Sequence, residues 1–325
     1  HRALLTLYEK RLELEIIKIL ATHKAKLRQL IIVKGTNNLN GLNRALNKEI
    51  RQTYKKIYKE AIKELDKLAG VSARYHKSVF TKALSGLYKA KGMNAKLSVK
   101  DLIIKGNGTF AQQITSISML QQKKIINVVK QGMIAGKALN SIALDVGRTG
   151  LLQSTVQTKT LIRTAITQTS MHVQNATYSL NDDVVKGYQY VATLDARTSL
   201  ICGRLDGKVF SLNSEFAPKP PQHFNCRSTT VPVIKSADQL LNTKNNRLSK
   251  RKIARISDAR RASMNGQVPA RVNYSQWLSK QDNNIKLNIL GSKKRVDIFN
   301  QGKLKLSQFS NKEGKLISLE KLEEL

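Results

Sequence analysis

Apolar residues recur at helical spacing through most of the first 180 positions. Leu4, Leu5, Tyr8, Leu12, Leu14, Ile16, Ile17 and Leu20, continued by Leu27, Leu30 and Ile31, predict one long helix over 2–33. The turn formers Lys34-Gly35-Thr36-Asn37-Asn38 end it. A second helix is expected over 41–69, with Leu46, Ile50, Tyr54, Ile57, Ile62, Leu65 and Leu68 on one face and Gly70 as its stop. A third is expected over 72–91, and others over 110–134, 137–147 and 152–180. Asn140-Ser141 and Gln153-Ser154 offer N-cap chemistry near the last two starts.

The period changes after 183. Val184, Val185, Tyr188, Tyr190, Val191 and Thr193 are strand formers, and Tyr188, Tyr190 and Ala192 alternate as in a half-buried strand. Short strands are also expected at 208–211 and 228–234, with Asp206-Gly207 as a turn before the first of them. From 240 to 270 the chain is polar and basic, crowded at Lys250-Arg251-Lys252 and Arg260-Arg261, and reads as an extended or partly helical arm. Residues 272–325 are strand-poor with spaced leucines that would wrap on a neighbour. The expected class is α+β: a helical region at 1–150, a small β-containing knuckle domain at 151–235, and a basic arm with a C-terminal extension at 236–325.

Charge changes this picture most. There are 57 Lys and Arg against 22 Asp and Glu, a net charge of +35, which makes a polyanion the expected partner. Residues 101–200 carry the least of it, so the two ends are the better candidates for contact. On the second helix Lys55, Lys56, Lys59, Lys63 and Lys67 crowd one face; a solvated face and a polyanion contact are rival readings. A Lys-rich composition without a polyanion partner is the bland alternative for the whole chain. No run of 18 apolar residues predicts a membrane span, and the charged, amphipathic start does not read as a signal peptide.

The chain has two cysteines, too few for a disulfide framework, and both lie in one stretch. It runs Asp195-Ala196-Arg197-Thr198-Ser199-Leu200-Ile201-Cys202, then Leu205-Asp206-Gly207, then Pro220-Pro221-Gln222-His223-Phe224-Asn225-Cys226-Arg227. Cys202, His223 and Cys226 are three donors of the kinds that bind zinc, with Asp195 a candidate for the fourth. The metal-free alternative has two small buried cysteines, His223 on a backbone carbonyl, Asp195 capping a turn, and Arg197 paired with a carboxylate such as Asp206. Arg227 fits either a phosphate or an ion pair. No Gly-x-Ser-x-Gly, Walker loop, His-Glu-x-x-His or paired-carboxylate signature occurs, so no enzyme is expected. Three protein ligands with one open position also describe catalytic zinc, which keeps a metal-dependent nuclease as the alternative.

The same ordered residues resemble the head morphogenesis domain of phage Mu F-like minor capsid proteins, over roughly 160–233. Family members often read Asp-x-Arg-Thr-Cys-x-x-Cys, and Ser199 stands where the earlier cysteine would be. Val268-Pro269, Tyr274, Trp277-Leu278, Gln281, Leu290-Gly291, Gly302, Leu304 and Phe309 resemble a C-terminal extension found on many such proteins. The resemblance implies a virion protein present in few copies inside the head, assembled in the bacterial host cytoplasm. It would attach to the portal and other head proteins and aid head assembly or DNA delivery. With the charge, this gives double-stranded DNA, bound without sequence preference, as the expected partner. The alternatives are a nuclease or toxin-like effector carried in the head, and a host nucleoid-type binding protein.

Overall fold

A computed structural model describes residues 2–35, 38–83, 89–92, 99, 102–104, 108–214, 216–236, 239 and 260–324. The class is α+β, as expected. The chain divides into two compact units: residues 1–72 with 94–170, and residues 73–93 with 171–325.

The first unit is helical. It contains α1 (Arg2–Lys34), most of α2 (Leu39–Ala83), α3 (Phe110–Ile134), α4 (Leu139–Asp145), a π-helical turn (Val146–Gly150) and the first two thirds of α5 (Leu151–Leu180). Its core holds much of the predicted apolar stripe: Leu12, Ile16, Leu27 and Ile31 of α1 and Leu46, Ile50 and Ile57 of α2 are at most 1% exposed, as is Leu42, while Leu14 and Ile17, expected on the stripe of α1, face solvent. A polar cluster lies among them. Buried His23 meets Glu49 (3.3 Å), Thr53 (3.0 Å) and Gln121 (3.5 Å). Burial lowers the His23 pKa, against the pull of Glu49. Helix α3 starts on a reciprocal cap: Gln112 N donates to Thr109 Oγ1 (3.3 Å), and Thr109 N donates to Gln112 Oε1 (2.8 Å).

Three boundaries differ from the sequence reading. Helix α2 runs through Gly70, where two helices were expected. A mid-helix glycine costs only about 1 kcal/mol, and Leu65, Leu68, Ala69 and Ser72, all buried around it, outweigh that. Residues 89–91, expected to be helical, are not, and 84–88 lie outside the described residues. Asn140-Ser141 and Gln153-Ser154 are not caps. The first pair lies inside α4, which starts at Ala138 without a side-chain cap, and Ser154 Oγ donates to Leu151 O (3.0 Å) inside α5.

The second unit holds an antiparallel sheet, β1 (Val185–Val191), β2 (Val209–Ser211) and β3 (Thr229–Ile234), in the order β2-β1-β3. The register pairs Gln189 with both Val209 and Val231, and Val191 with Thr229. The last residues of α5 brace β3: Gln174 Nε2 donates to Thr230 O (2.8 Å), as does the Tyr178 hydroxyl (3.3 Å). The segment between β1 and β2 contains α6 (Leu200–Leu205).

The C-terminal part supplies a core of its own, where the sequence had suggested wrapping on a neighbour. Helices α7 (Tyr274–Ser279), α8 (Asn283–Leu290), α9 (Lys293–Asn300) and α10 (Leu319–Glu323) bury Trp277, Leu278, Leu290, Val296, Phe299, Phe309 and Leu322 against Leu194, Leu200 and Tyr274. Residues 260–269, expected within the basic arm, form a hairpin, β4 (Arg260–Ser263) with β5 (Gly266–Pro269). The rest of that arm, 240–259, lies outside the described residues. No helix among the described residues is long and apolar enough to cross a membrane.

Candidate metal centre

Antiparallel pairing brings the motif together. Strand β1 ends where β2 and β3 begin, so the segment 192–208 and the last residues of 212–228, which lead into β3, meet at one end of the sheet. The first segment carries Asp195, Ser199 and Cys202; the second carries His223, Cys226 and Arg227.

Helix α6 fixes Cys202. Its N-cap is Ser199, whose Oγ accepts from Cys202 N (3.4 Å). Its end is Asp206, followed by Gly207 at φ +80°, so Asp206-Gly207 forms the expected turn, and that turn ends a helix. In the second segment Pro220-Pro221 is cis, and Cys226 N donates to His223 O (3.2 Å). Asn225 between them takes φ +58°, a conformation asparagine adopts more readily than most residues. This turn directs His223 and Cys226 to one point.

Cys202, His223 and Cys226 present ligand atoms that all lie within 4.8 Å of one another. Cys202 Sγ is 3.6 Å from Cys226 Sγ and 3.2 Å from His223 Nε2. Both cysteines are 1% exposed and His223 is half-buried. His223 Nδ1 lies 2.8 Å from Phe224 O. A carbonyl only accepts, so Nδ1 carries the proton and Nε2 offers its lone pair to the cluster. That is how metal-binding histidines are oriented. The Cys226 pKa is lowered by the hydrogen bond from Cys202 and by His223, while the same bond and burial raise that of Cys202. Tyr190 OH sits 3.2 Å from Cys202 Sγ, and its own pKa is raised by burial.

This donor set fits zinc. Zn–S bonds of about 2.3 Å at a tetrahedral angle put two thiolates roughly 3.8 Å apart, close to the observed 3.6 Å.

Asp195, the candidate fourth ligand, is turned to another task. Its carboxylate receives both Nη atoms of Arg227, the Nη2 bond being 2.7 Å, and Oδ1 also accepts from Arg197 N (3.0 Å) and Thr198 Oγ1 (3.2 Å). Burial pushes the Asp195 pKa up, but Arg227 and these donors outweigh it and hold it low. Arg227 is therefore an ion-pair partner, and Asp195 caps the turn. Arg197 is exposed; the partner of Asp206 is Arg261, in a buried pair at 3.0 Å.

The sequence reading placed Arg261 in the basic arm and Tyr274 in the C-terminal extension and missed their contact with the motif. Asp206 also accepts from Ala192 N (2.7 Å) and Tyr274 N (2.6 Å), which ties β1, α6, β4 and α7 together. Gly203 makes room for this: a Cβ there would lie 2.6 Å from Tyr274 Cδ1. The available signal was the Arg260-Arg261 pair on a strand, where one of two neighbours must face inward.

Residues 123–231 match the family model described as Phage Mu protein F like protein. The match begins upstream of the resembling stretch, within α3, and runs through the cluster into β3. No curated protein and no solved structure is significantly similar to the chain. Over the third of its length that carries Cys202, His223 and Cys226, the chain is similar to phage Mu F-like proteins.

Proposed function

We propose that this protein is a minor component of a phage head, acting in head morphogenesis as a structural part without catalytic turnover. The observation that carries the reading is the Mu F-like match over residues 123–231. Its place would be the head interior after assembly in the host cytoplasm, beside the portal and other head proteins and against packaged DNA. In the same reading Cys202, His223 and Cys226 hold a zinc ion. Its chemistry there is to clamp two loops that have little core of their own.

The DNA interface is assigned to α2. Arg44, Lys48, Arg51, Lys55, Lys59 and Lys63 are exposed and have no ion-pair partner among the described residues. They follow at steps of three or four, a slowly winding row about 30 Å long at 1.5 Å per residue. The buried apolar positions of α2 occupy its other side. Such a row meets backbone phosphates without reading bases.

The test is a salt titration of binding to mixed-sequence duplexes, comparing the full chain with a variant carrying Lys48, Lys55, Lys59 and Lys63→Gln. Wild type should bind all sequences alike. Its log–log salt slope should be steeper than the variant's by roughly 0.9 for each phosphate that the variant no longer neutralises. Equal slopes would remove α2 from the interface. Metal-dependent cutting of the duplex would replace the structural reading by the nuclease one.

A further inference from the structure

The cluster has a fourth corner. Ser199 Oγ lies 2.8 Å from His223 Nε2, and Ser199 is less buried than the two cysteines. Two features hold it there. As the N-cap of α6, Ser199 keeps one lone pair on Cys202 N. The ring it faces is fixed by the carbonyl of Phe224. Oxygen has a second lone pair, which remains for the cluster. Because Asp195 is held by Arg227, Ser199 is the oxygen placed to finish the set.

We infer that the Ser199 hydroxyl occupies the fourth position of the metal site, making it a two-thiolate, one-imidazole, one-hydroxyl centre whose cation is exchangeable. The inference rests on the proposal that the cluster binds zinc. A neutral hydroxyl is a much weaker zinc donor than thiolate, imidazole or carboxylate, so this fourth corner holds the ion less firmly than a fourth strong donor would. Ser199 and His223 are half-buried, so that position faces the accessible side of the cluster. The two thiolates balance the charge of a divalent ion, so the centre is neutral as it stands. The knuckle then has a metal lock that can be released.

The experiment uses the full chain kept reduced, with zinc and cobalt(II) as probes. Zinc affinity is read by competition with a chromophoric chelator, and thiolate ligation by the sulfur-to-cobalt charge-transfer absorption. Wild type should bind one ion per chain, and Cys226→Ser should lose it. Ser199→Cys should bind about tenfold more tightly or better, since even outer-shell partners shift metal affinity by about 10–100-fold. Its charge-transfer band should rise from the intensity of two thiolates to that of three. Ser199→Gly removes the donor at little cost to the helix cap, and should weaken binding several-fold with the two-thiolate band kept. Wild-type binding with no added thiolate band in Ser199→Cys, or unchanged affinity in Ser199→Gly, overturns the fourth-ligand assignment and leaves the zinc reading standing. Wild type that binds no more metal than Cys226→Ser overturns both.

Discussion

Replacing Asp206 with alanine should be among the most damaging single changes in the second unit. Its side chain is fully buried and accepts from Ala192 N (2.7 Å), Tyr274 N (2.6 Å), Arg261 Nη1 (3.0 Å) and Arg261 Nη2 (3.1 Å). Alanine leaves the Arg261 guanidinium, only 12% exposed, without its counter-charge. Removing one partner of a buried pair costs about 3–5 kcal/mol. Two amide N–H groups also lose their acceptor, at about 1–3 kcal/mol each if they find no other. These losses overlap, and we expect about 4 kcal/mol in all, a large share of the 5–15 kcal/mol that usually holds a fold together. Trp277 is the single tryptophan of the chain, is buried, and lies 5.2 Å ring to ring from Tyr274, so its fluorescence reports this region in urea. With a denaturant slope of about 2 kcal/mol per M, the Trp277 midpoint should fall by about 2 M. Adding Arg261→Met to Asp206→Ala should cost less than the sum of the single changes by 1 kcal/mol or more, taking about 0.5 kcal/mol as the limit of additivity. A midpoint moved by less than about 0.5 M, roughly 1 kcal/mol on the same slope, or strictly additive changes, would refute the assignment of Asp206 as the tie between β1, α6, β4 and α7.

Two further outcomes follow from burial and close approach. Burial holds the His76 pKa at about 4 against an ordinary 6.5, so the folded state takes up its proton later than the unfolded chain. Its contribution is complete above pH 6.5 and is lost as pH falls towards 4, about 3 kcal/mol in total; buried His23 adds in the same direction. Urea unfolding from pH 7 to 4 should show that slope, His76→Gln should flatten it, and an unchanged slope would contradict it. Gly203→Ala reverses the usual sign for a helix: alanine is the better helix former by about 1 kcal/mol, but its Cβ would press on the Tyr274 ring at 2.6 Å. Overpacking of this kind costs about 1–3 kcal/mol, so the Trp277 transition should move to lower urea, and a stabilised variant would show that the ring yields freely.

Local residue pattern was enough to set most of the first 180 residues as helix, the three-stranded sheet and the Cys202–His223–Cys226 group, though not α6, the β4–β5 hairpin or the C-terminal helices. Helical spacing of Leu and Ile placed most of the buried face of α1 and that of α2 and marked α3 and α5 as helices, and alternation at Tyr188, Tyr190 and Ala192 marked β1, because side-chain period is a local property of the backbone. Cys202, His223 and Cys226 were legible as a group because few residue types bind a soft metal, and these three lie near one another in the chain. What sequence could not show was the partner of each charge. Asp195 read either as a metal ligand or as a turn cap, and its carboxylate is held by Arg227; Asp206 read as a turn residue, and it also anchors Arg261, which lies 55 positions on. Ser199 read as a missing ligand, yet the fold sets its hydroxyl 2.8 Å from His223. Gly70 read as a stop, and packing on both sides carried the helix through it. In each case a local preference worth about 1 kcal/mol was overruled by burial or by a charge brought from far along the chain. The antiparallel order β2-β1-β3, which brings 192–208 and the residues entering β3 to one end of the sheet, decided the pairing of Asp195 with Arg227 and of Ser199 with His223.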